Sequence, residues 1–110
     1  MKPGLLVTIV AVTFAILVVV AVTHRISTYR RAFDTSSEGD SVALVTSRFG
    51  VPSHHEIQGQ LWSRYASEAC QSPCAQRLWW EHPILRGMEA WSAEFDSKGH
   101  LLNKYHWVSP

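Results

Sequence analysis

The sequence predicts an α+β protein in which an N-terminal transmembrane helix precedes one short helix packed on a three- to four-stranded antiparallel sheet. Three observations lead to this prediction: an apolar run near the N-terminus, a short stretch with helix signals at both ends, and alternating segments closed by a hairpin signal. The chain then divides into an N-terminal tail, a transmembrane helix, a basic juxtamembrane segment with linker, and the α+β domain: residues 1–4, 5–23, 24–38 and 39–110.

An unbroken apolar run predicts the transmembrane helix. Residues 5–22 include only two polar side chains, those of Thr8 and Thr13. As a helix, a run of this length spans about 27 Å, which is close to the thickness of the hydrocarbon core of a bilayer. A cleaved signal peptide, with Val19 and Ala21 as the small residues before the cut, is the open alternative, although the run exceeds the ~7–15 residues of a signal core. No Cys follows directly, so a lipid-modified N-terminus is not predicted.

Residues 39–52 carry start and stop signals for one short helix. Asp40 or Ser41 is placed to accept hydrogen bonds from the free N–H groups of the first turn. Gly50 favours the left-handed conformation that ends a helix, and Pro52 prevents the helix from resuming. Three apolar residues share one face of it: Val42, Val45 and Phe49. We expect this helix to be the only cover for the sheet that follows, because a one-sided sheet must bury its apolar face.

The rest of the domain has the composition of short strands, with residues 53–60 as a loop or a frayed first strand. The predicted strands are residues 61–66, 77–81, 89–95 and 101–107. The third alternates cleanly, and Asp96–Gly99 after it predicts a tight hairpin in which Gly99 takes a positive φ. In the last strand we expect four residues to face the core: Leu101, Asn103, Tyr105 and Trp107.

These signals follow one another in the order found in a known family. The matching residues are Gly39, Ser41, Val45, Phe49, Gly50 and Pro52 around the helix, Trp62 and Tyr65 on the expected first strand, and Phe95, Asp96, Gly99 and Leu101 at the hairpin. Together they resemble the SmpA/OmlA (BamE-like) family of small envelope proteins. The resemblance implies a BamE-like domain over residues 39–107 that binds partner proteins, without catalytic residues or a cofactor. The chain departs from the family in having no lipid-modified Cys.

Cys70 and Cys74 are predicted to form a small-loop disulfide, because they lie four residues apart with a turn-forming proline between them. A metal site built on both thiolates, completed by His54, His55 or His82, is one alternative. A thiol-redox module is another. We expect no metal, because the histidines themselves lack metal-ligand spacing. A disulfide favours an extracytoplasmic domain.

The positive charges on the two sides of the apolar run are nearly equal, so they indicate its orientation only weakly. Lys2 and the amino group of the chain precede the run, and Arg25, Arg30 and Arg31 follow it. Taken alone, these residues place the C-terminal side in the cytoplasm by a margin of about one charge. The predicted disulfide and the family resemblance outweigh that margin. We therefore expect a single-pass protein of the bacterial inner membrane with its C-terminal domain in the periplasm.

The charge balance of the domain argues against nucleic-acid binding. The whole chain has a net charge of +1, and residues 41–110 contain six basic and six acidic residues without a basic stripe. No nucleophile–base arrangement and no phosphate-binding loop stands out, so the sequence does not predict an enzyme.

The Trp79–Trp80 pair predicts a partner-binding surface. Neighbouring residues on a strand point to opposite faces, so one of these two side chains is expected to be exposed. We expect it to form a patch with Pro83, Ile84 and Leu85, because an outward aromatic beside apolar loop residues is typical of protein interfaces. Contact with the bilayer interface is the alternative. The predicted function is a membrane-anchored, non-enzymatic adaptor of the cell envelope, with the metal or redox module as the alternative.

Overall fold

A computed structural model describes residues 2–109 of the chain. Within them it contains two helices, α1 and α2, and four strands, β1 to β4: Pro3–Thr35, Val42–Phe49, His54–Ile57, Gln76–Glu81, Glu89–Phe95 and Leu101–Val108. The strands form one sheet in the order β1-β2-β3-β4, and every neighbouring pair is antiparallel. The predicted α+β arrangement is confirmed.

Helix α1 extends beyond the predicted transmembrane helix of residues 5–23, and it includes residues 24–32, where the sequence left a continuation of the helix open. It has 33 residues without a break, so most of the segment expected as a juxtamembrane stretch and linker, residues 24–38, is helical. Its apolar part has a mean hydropathy of 3.1 over 18 residues, none of them buried in the protein. By length and composition this helix is able to cross a membrane, and a signal sequence passes the same test.

The last third of α1 belongs to the core of the domain. Tyr29 is 5% exposed and Ala32 is 2% exposed. The ring centroid of Tyr29 lies 6.2 Å from that of Phe49 and 5.3 Å from that of Trp91. The expectation that α2 is the only cover of the sheet is therefore wrong. The sequence signal is a helical spacing of apolar residues that continues beyond the membrane run, at Ile26, Tyr29, Ala32 and Phe33.

Helix α2 has the predicted ends. The N-cap is Ser41, whose hydroxyl oxygen accepts a hydrogen bond from the Leu44 N–H at 3.1 Å. Asp40 instead accepts from the Ser37 N–H and pairs with Arg48 at 2.7 Å. The hydrogen bond from Ser37 and the ion pair hold the pKa of Asp40 below its usual value. Gly50 ends the helix with φ +96°.

The hairpin between β3 and β4 is also as predicted. The Asp96 carboxylate accepts hydrogen bonds from the N–H groups of Lys98 and His100, each at 2.9 Å, and Gly99 has φ +78°. The Gly99 carbonyl then accepts from the N–H of Val42 at 3.0 Å, which fixes the start of α2 to the tip of the hairpin.

Two details of the sheet differ from the prediction. The first strand is β1, and residues 61–66 instead belong to the β1–β2 connection, residues 58–75. Trp62 and Tyr65 give this segment the composition of a strand, but they pack on the sheet through their side chains and do not pair with it. A bulge between Glu94 and Phe95 breaks the register with β4. As a result Leu101 is buried under the helices, whereas the other three residues expected beside it lie on the opposite face, with Tyr105 44% exposed.

The sheet has a hydrophobic cluster on each face. The helix side holds Leu78, Trp80, Trp91, Ala93, Phe95 and Leu101 against α1 and α2. The opposite side, called the far face below, holds Trp79 and Ala90 with Ala66, Trp62, Tyr65 and Trp107. The β1–β2 connection supplies three of these far-face residues, so it covers that side as the helices cover the other.

The burial of Tyr29 makes α1 a stability element of the domain, which can be tested in the full chain. We expect Tyr29→Ala to lower the free energy of unfolding by about 3–5 kcal/mol, the usual cost of truncating a buried aromatic residue. Denaturant unfolding in detergent micelles, followed by Trp fluorescence, measures the loss. Arg31→Ala, on the exposed side of the same helix, is the matched control. Equal midpoints for the two variants would contradict the packing of α1 in the core.

Candidate functional site

Both residues of the Trp79–Trp80 pair are fully buried, each with 0% exposure. They do point to opposite faces, as predicted, but the expectation that one of them is exposed is wrong. Trp80 stacks on Phe49 with ring centroids 4.1 Å apart and donates its Nε1–H to the Gly50 carbonyl at 3.0 Å. Trp79 lies between Tyr65 and Trp107 at 5.5 and 5.4 Å. The β1–β2 connection buries it, and the sequence pattern gave no sign of that cover.

The rest of the predicted patch is on the surface. Ile84 is 60% exposed, Leu85 is 46% exposed, and Pro83 is half-buried. The ring nitrogen Nδ1 of His82 accepts hydrogen bonds from the Ile84 and Leu85 N–H groups at 3.1 and 2.9 Å, which holds this β2–β3 loop in shape. A role for these three residues in partner binding stays a prediction.

A buried ion pair between β1 and β2 organises the far face. Arg77 donates two hydrogen bonds to the Glu56 carboxylate at 2.8 and 2.9 Å and a third to the Glu68 carbonyl at 3.0 Å. Glu56 also accepts from the Trp62 backbone N–H at 3.0 Å and from the Trp79 indole N–H. Burial alone would raise the pKa of Glu56, but these hydrogen bonds and the Arg77 charge outweigh it and lower the pKa.

A second polar network ties Tyr65 to the end of the sheet. The Tyr65 hydroxyl donates to the Glu81 carboxylate at 2.7 Å and accepts from the Gly87 N–H at 2.8 Å. Arg64 pairs with the same carboxylate at 3.1 Å. Burial and the Glu81 carboxylate raise the pKa of Tyr65 to about 12. This hydroxyl therefore keeps its proton at neutral pH and acts as a structural donor.

An open cavity of about 470 Å³ lies beside these networks on the far face. Arg77 and Glu94 line it from the sheet, and Glu68 lines it from the connection. Tyr105 and Trp107 form an aromatic wall along β4. We call it the far-face cavity. Among residues 2–109, Glu94 takes part in no salt bridge. Burial raises the pKa of Glu94, the Arg77 charge lowers it in part, and the Glu56 charge raises it further.

The far-face cavity was not predicted. Its signals are an arginine on the same parity of β2 as Trp79, and polar residues on the alternate positions of β3. In a one-sided sheet, such as the sequence predicts, these positions would face solvent. Once the far face is known to be covered, an Arg on that side requires a buried carboxylate, and Glu56 provides it.

Cys70 and Cys74 form the predicted disulfide, with Cα atoms 5.5 Å apart. Both are buried, at 1% and 3% exposure, in the connection next to the far-face cavity. The sulfurs are bonded to each other, so the metal alternative would first require reduction of the bond. Within residues 2–109, no group of three or more His, Cys, Asp or Glu residues is close enough to share a metal ion.

The residues that carry the family resemblance occupy helix, connection and hairpin. Those around α2 and the hairpin have the expected positions, and Pro52 follows the end of α2. Trp62 and Tyr65 do not lie on a strand; they lie on the connection and pack on Trp79. Comparison of the chain with protein-family models, curated proteins and solved structures gave no match. The resemblance to SmpA/OmlA proteins stays a prediction.

Removing the Glu56 charge tests the buried pair. We expect Glu56→Gln to destabilise the domain by about 3–5 kcal/mol, because it leaves the buried Arg77 guanidinium without a counter-charge. The pKa of Glu56 is lower in the folded chain than its ordinary 4.5, so the pair stabilises above that value and this contribution is lost as pH falls through the folded pKa. Urea titrations between neutral and acidic pH should therefore show a weaker acid dependence in the variant.

Glu68→Gln is the matched control, because the Glu68 side chain is exposed and only its carbonyl meets Arg77. A Glu56→Gln variant as stable as this control, with the same acid dependence as the unmodified chain, would contradict the buried pair.

Proposed function

We propose that the protein is a membrane-anchored, non-enzymatic adaptor of the bacterial cell envelope that binds a protein partner through its extracytoplasmic domain. The observation that carries this proposal is the continuity of α1. The exposed apolar part of the helix and the part packed in the domain core form one uninterrupted element. An adaptor of this kind presents its domain at a fixed height above the bilayer.

The anchoring rests on the apolar part of α1. Every described residue from Lys2 to Ala21 is exposed, and the run is apolar on all sides. A helix that is hydrophobic all round needs an apolar environment on every side. The α1 residues in the described core of the domain lie between Ile26 and Phe33. A bilayer supplies the missing environment for the rest.

The Cys70–Cys74 disulfide supports the orientation. Disulfides persist in oxidising compartments and are rare in the cytosol. The proposed location is the inner membrane with the domain in the periplasm.

The far-face cavity supports binding of a partner. The Glu56–Arg77 pair is internally neutral. Among residues 2–109, the carboxylates of Glu68 and Glu94 beside the aromatic wall take part in no salt bridge. Carboxylates next to aromatic faces suit a basic side chain of a partner protein. Burial raises the pKa of Glu94 because it disfavours the charged carboxylate. Ionised Glu94 therefore lowers the stability of the free domain. Such a loss of stability is typical of residues kept for binding.

The polar networks support a non-enzymatic role. Glu56 and Arg77 satisfy each other, and Glu81 is held by Tyr65 and Arg64. These ionisable groups act as structural partners of one another. The SmpA/OmlA resemblance, which implies partner binding without catalysis, agrees with this role.

Reporter fusions test the orientation. Alkaline phosphatase fused to the C-terminus of the full chain should be active, since that enzyme folds only where its disulfides form. A green fluorescent protein fusion at the same position, exported through the same pathway, should stay dark. A bright fluorescent fusion together with an inactive phosphatase would contradict the periplasmic location.

Photo-crosslinking in native membranes tests the binding surface. A benzoylphenylalanine incorporated in place of Tyr105 should yield one discrete protein adduct, and the same photoprobe in place of Ser47, on the exposed side of α2, should not. Glu94→Gln should lower the yield of the Tyr105 adduct by about tenfold, because a hydrogen bond to a charged group is worth about 1.5–3 kcal/mol.

The same Glu94→Gln variant should be more stable than the unmodified chain at neutral pH. A carboxylate whose folded pKa is raised contributes stability that is lost as pH rises through that pKa, and Gln stays uncharged. Thermal unfolding of both chains measures this gain. If Glu94→Gln lowered both the thermal stability and the yield of the Tyr105 adduct, Glu94 would have a structural role and not a binding role.

A further inference from the structure

We propose that the end of the domain nearest the apolar part of α1 rests on the bilayer, with Val51, Ile84 and Leu85 in the interfacial region. We call this end, formed by residues 50–53, 82–88 and 108–109, the basal end. This inference rests on the membrane anchoring proposed above and assigns part of the surface to lipid rather than to a protein partner.

The direction of α1 along the sheet defines the basal end. Ala21 and Arg25 line one cavity with Gly50 and Val51. Arg25 also lines a second cavity, of about 400 Å³, with Pro83 and Arg86 on the β2–β3 loop.

Farther along the same helix, Phe33 meets Lys104 and His106 on β4. Beyond the end of α1, the Gly39 N–H donates to the Leu101 carbonyl at 2.8 Å. The β2–β3 loop is therefore at the level where the apolar run ends, and the β3–β4 hairpin lies at the opposite end of the domain.

The basal end displays apolar side chains that nothing in the described chain covers. Val51 is 90% exposed, the highest value among the exposed large hydrophobic residues. Ile84 is 60% exposed, Val108 is 65% exposed, and Met88 and Leu85 are 50% and 46% exposed. Clusters of exposed apolar residues mark surfaces that contact a partner or a membrane.

The position of α1 favours the membrane as the occupant. The apolar run ends at Val22, and Arg25 is three residues farther, which is about 4.5 Å along a helix. That places Arg25 among the headgroups and the β2–β3 loop beside it. A protein partner on this loop would have to fit between the domain and the bilayer.

The charges at the basal end are complementary to a bilayer with anionic headgroups. Arg25 and Arg86 line the same cavity. Two carboxylates of the described residues lie near this end: Glu81 pairs with Arg64 at 3.1 Å, and Glu89 is hydrogen-bonded to His106 at 2.9 Å. Three other carboxylates lie toward the opposite end: Asp34, Glu38 and Asp96. Basic residues beside exposed apolar ones are typical of surfaces that bind such membranes.

Lipid-quenching fluorescence tests the contact in the full chain. A fluorescent amino acid is incorporated in place of Ile84, and the protein is reconstituted in vesicles of phosphatidylcholine and phosphatidylglycerol with brominated acyl chains. We expect loss of most of the probe emission and a blue shift. The same probe in place of Ser97, at the exposed hairpin tip, is the matched control and should keep its emission. Arg86→Glu should reduce the quenching at position 84 when phosphatidylglycerol is present.

Alkaline extraction of the same vesicles separates this inference from the proposed function. Release of the chain would overturn both the anchoring and the basal contact. Retention of the chain without quenching at position 84 would overturn the basal contact alone. Equal quenching at positions 84 and 97 would overturn it as well. An unquenched probe at position 84 in vesicles, with a protein adduct from a photoprobe there in native membranes, would assign the loop to a protein partner.

Discussion

The domain depends on the strict alternation of side chains along β2. Because Trp79 and Trp80 are adjacent on a strand, they must enter opposite faces of the sheet, and each is too large to leave in water without cost. The sheet therefore requires two covers. Helices α1 and α2 close over Trp80, and the β1–β2 connection closes over Trp79. In a domain of about 70 residues, this arrangement gives two small cores where a one-sided sheet would give one.

The second cover explains the polar chemistry of the far face. Arg77 is only 5% exposed, so its charge must find a carboxylate and hydrogen-bond acceptors inside the protein. Glu56 on the edge strand and the Glu68 carbonyl on the connection meet this requirement. The ion pair thus joins the edge strand, the next strand and the covering segment. The Cys70–Cys74 bond closes a loop of the same segment.

The sequence was informative where a signal is local and uninformative where a contact is distant. Ser41, Gly50 and Gly99 act within a few residues of their positions, so the ends of α2 and the hairpin were predictable. Trp62 and Tyr65 have strand propensity, but their contacts with Trp79 decide their conformation, and those contacts span many residues. The far-face cavity was missed for the same reason. The core role of Tyr29 was missed because residues 24–38 were interpreted as a juxtamembrane segment and linker outside the domain, whereas Tyr29 lies in the core.

The uninterrupted course of α1 links the geometry of the bilayer to the geometry of the domain. A spanning helix adjusts to bilayer thickness by tilting, commonly by about 20°. A flexible tether would absorb that tilt, but a helix clamped by Tyr29 and Ala32 transmits it. In the proposed membrane setting, a thinner bilayer would tilt α1 and turn the far-face cavity relative to the membrane plane. The thickness and composition of the lipid would thereby set the angle at which the cavity meets a partner.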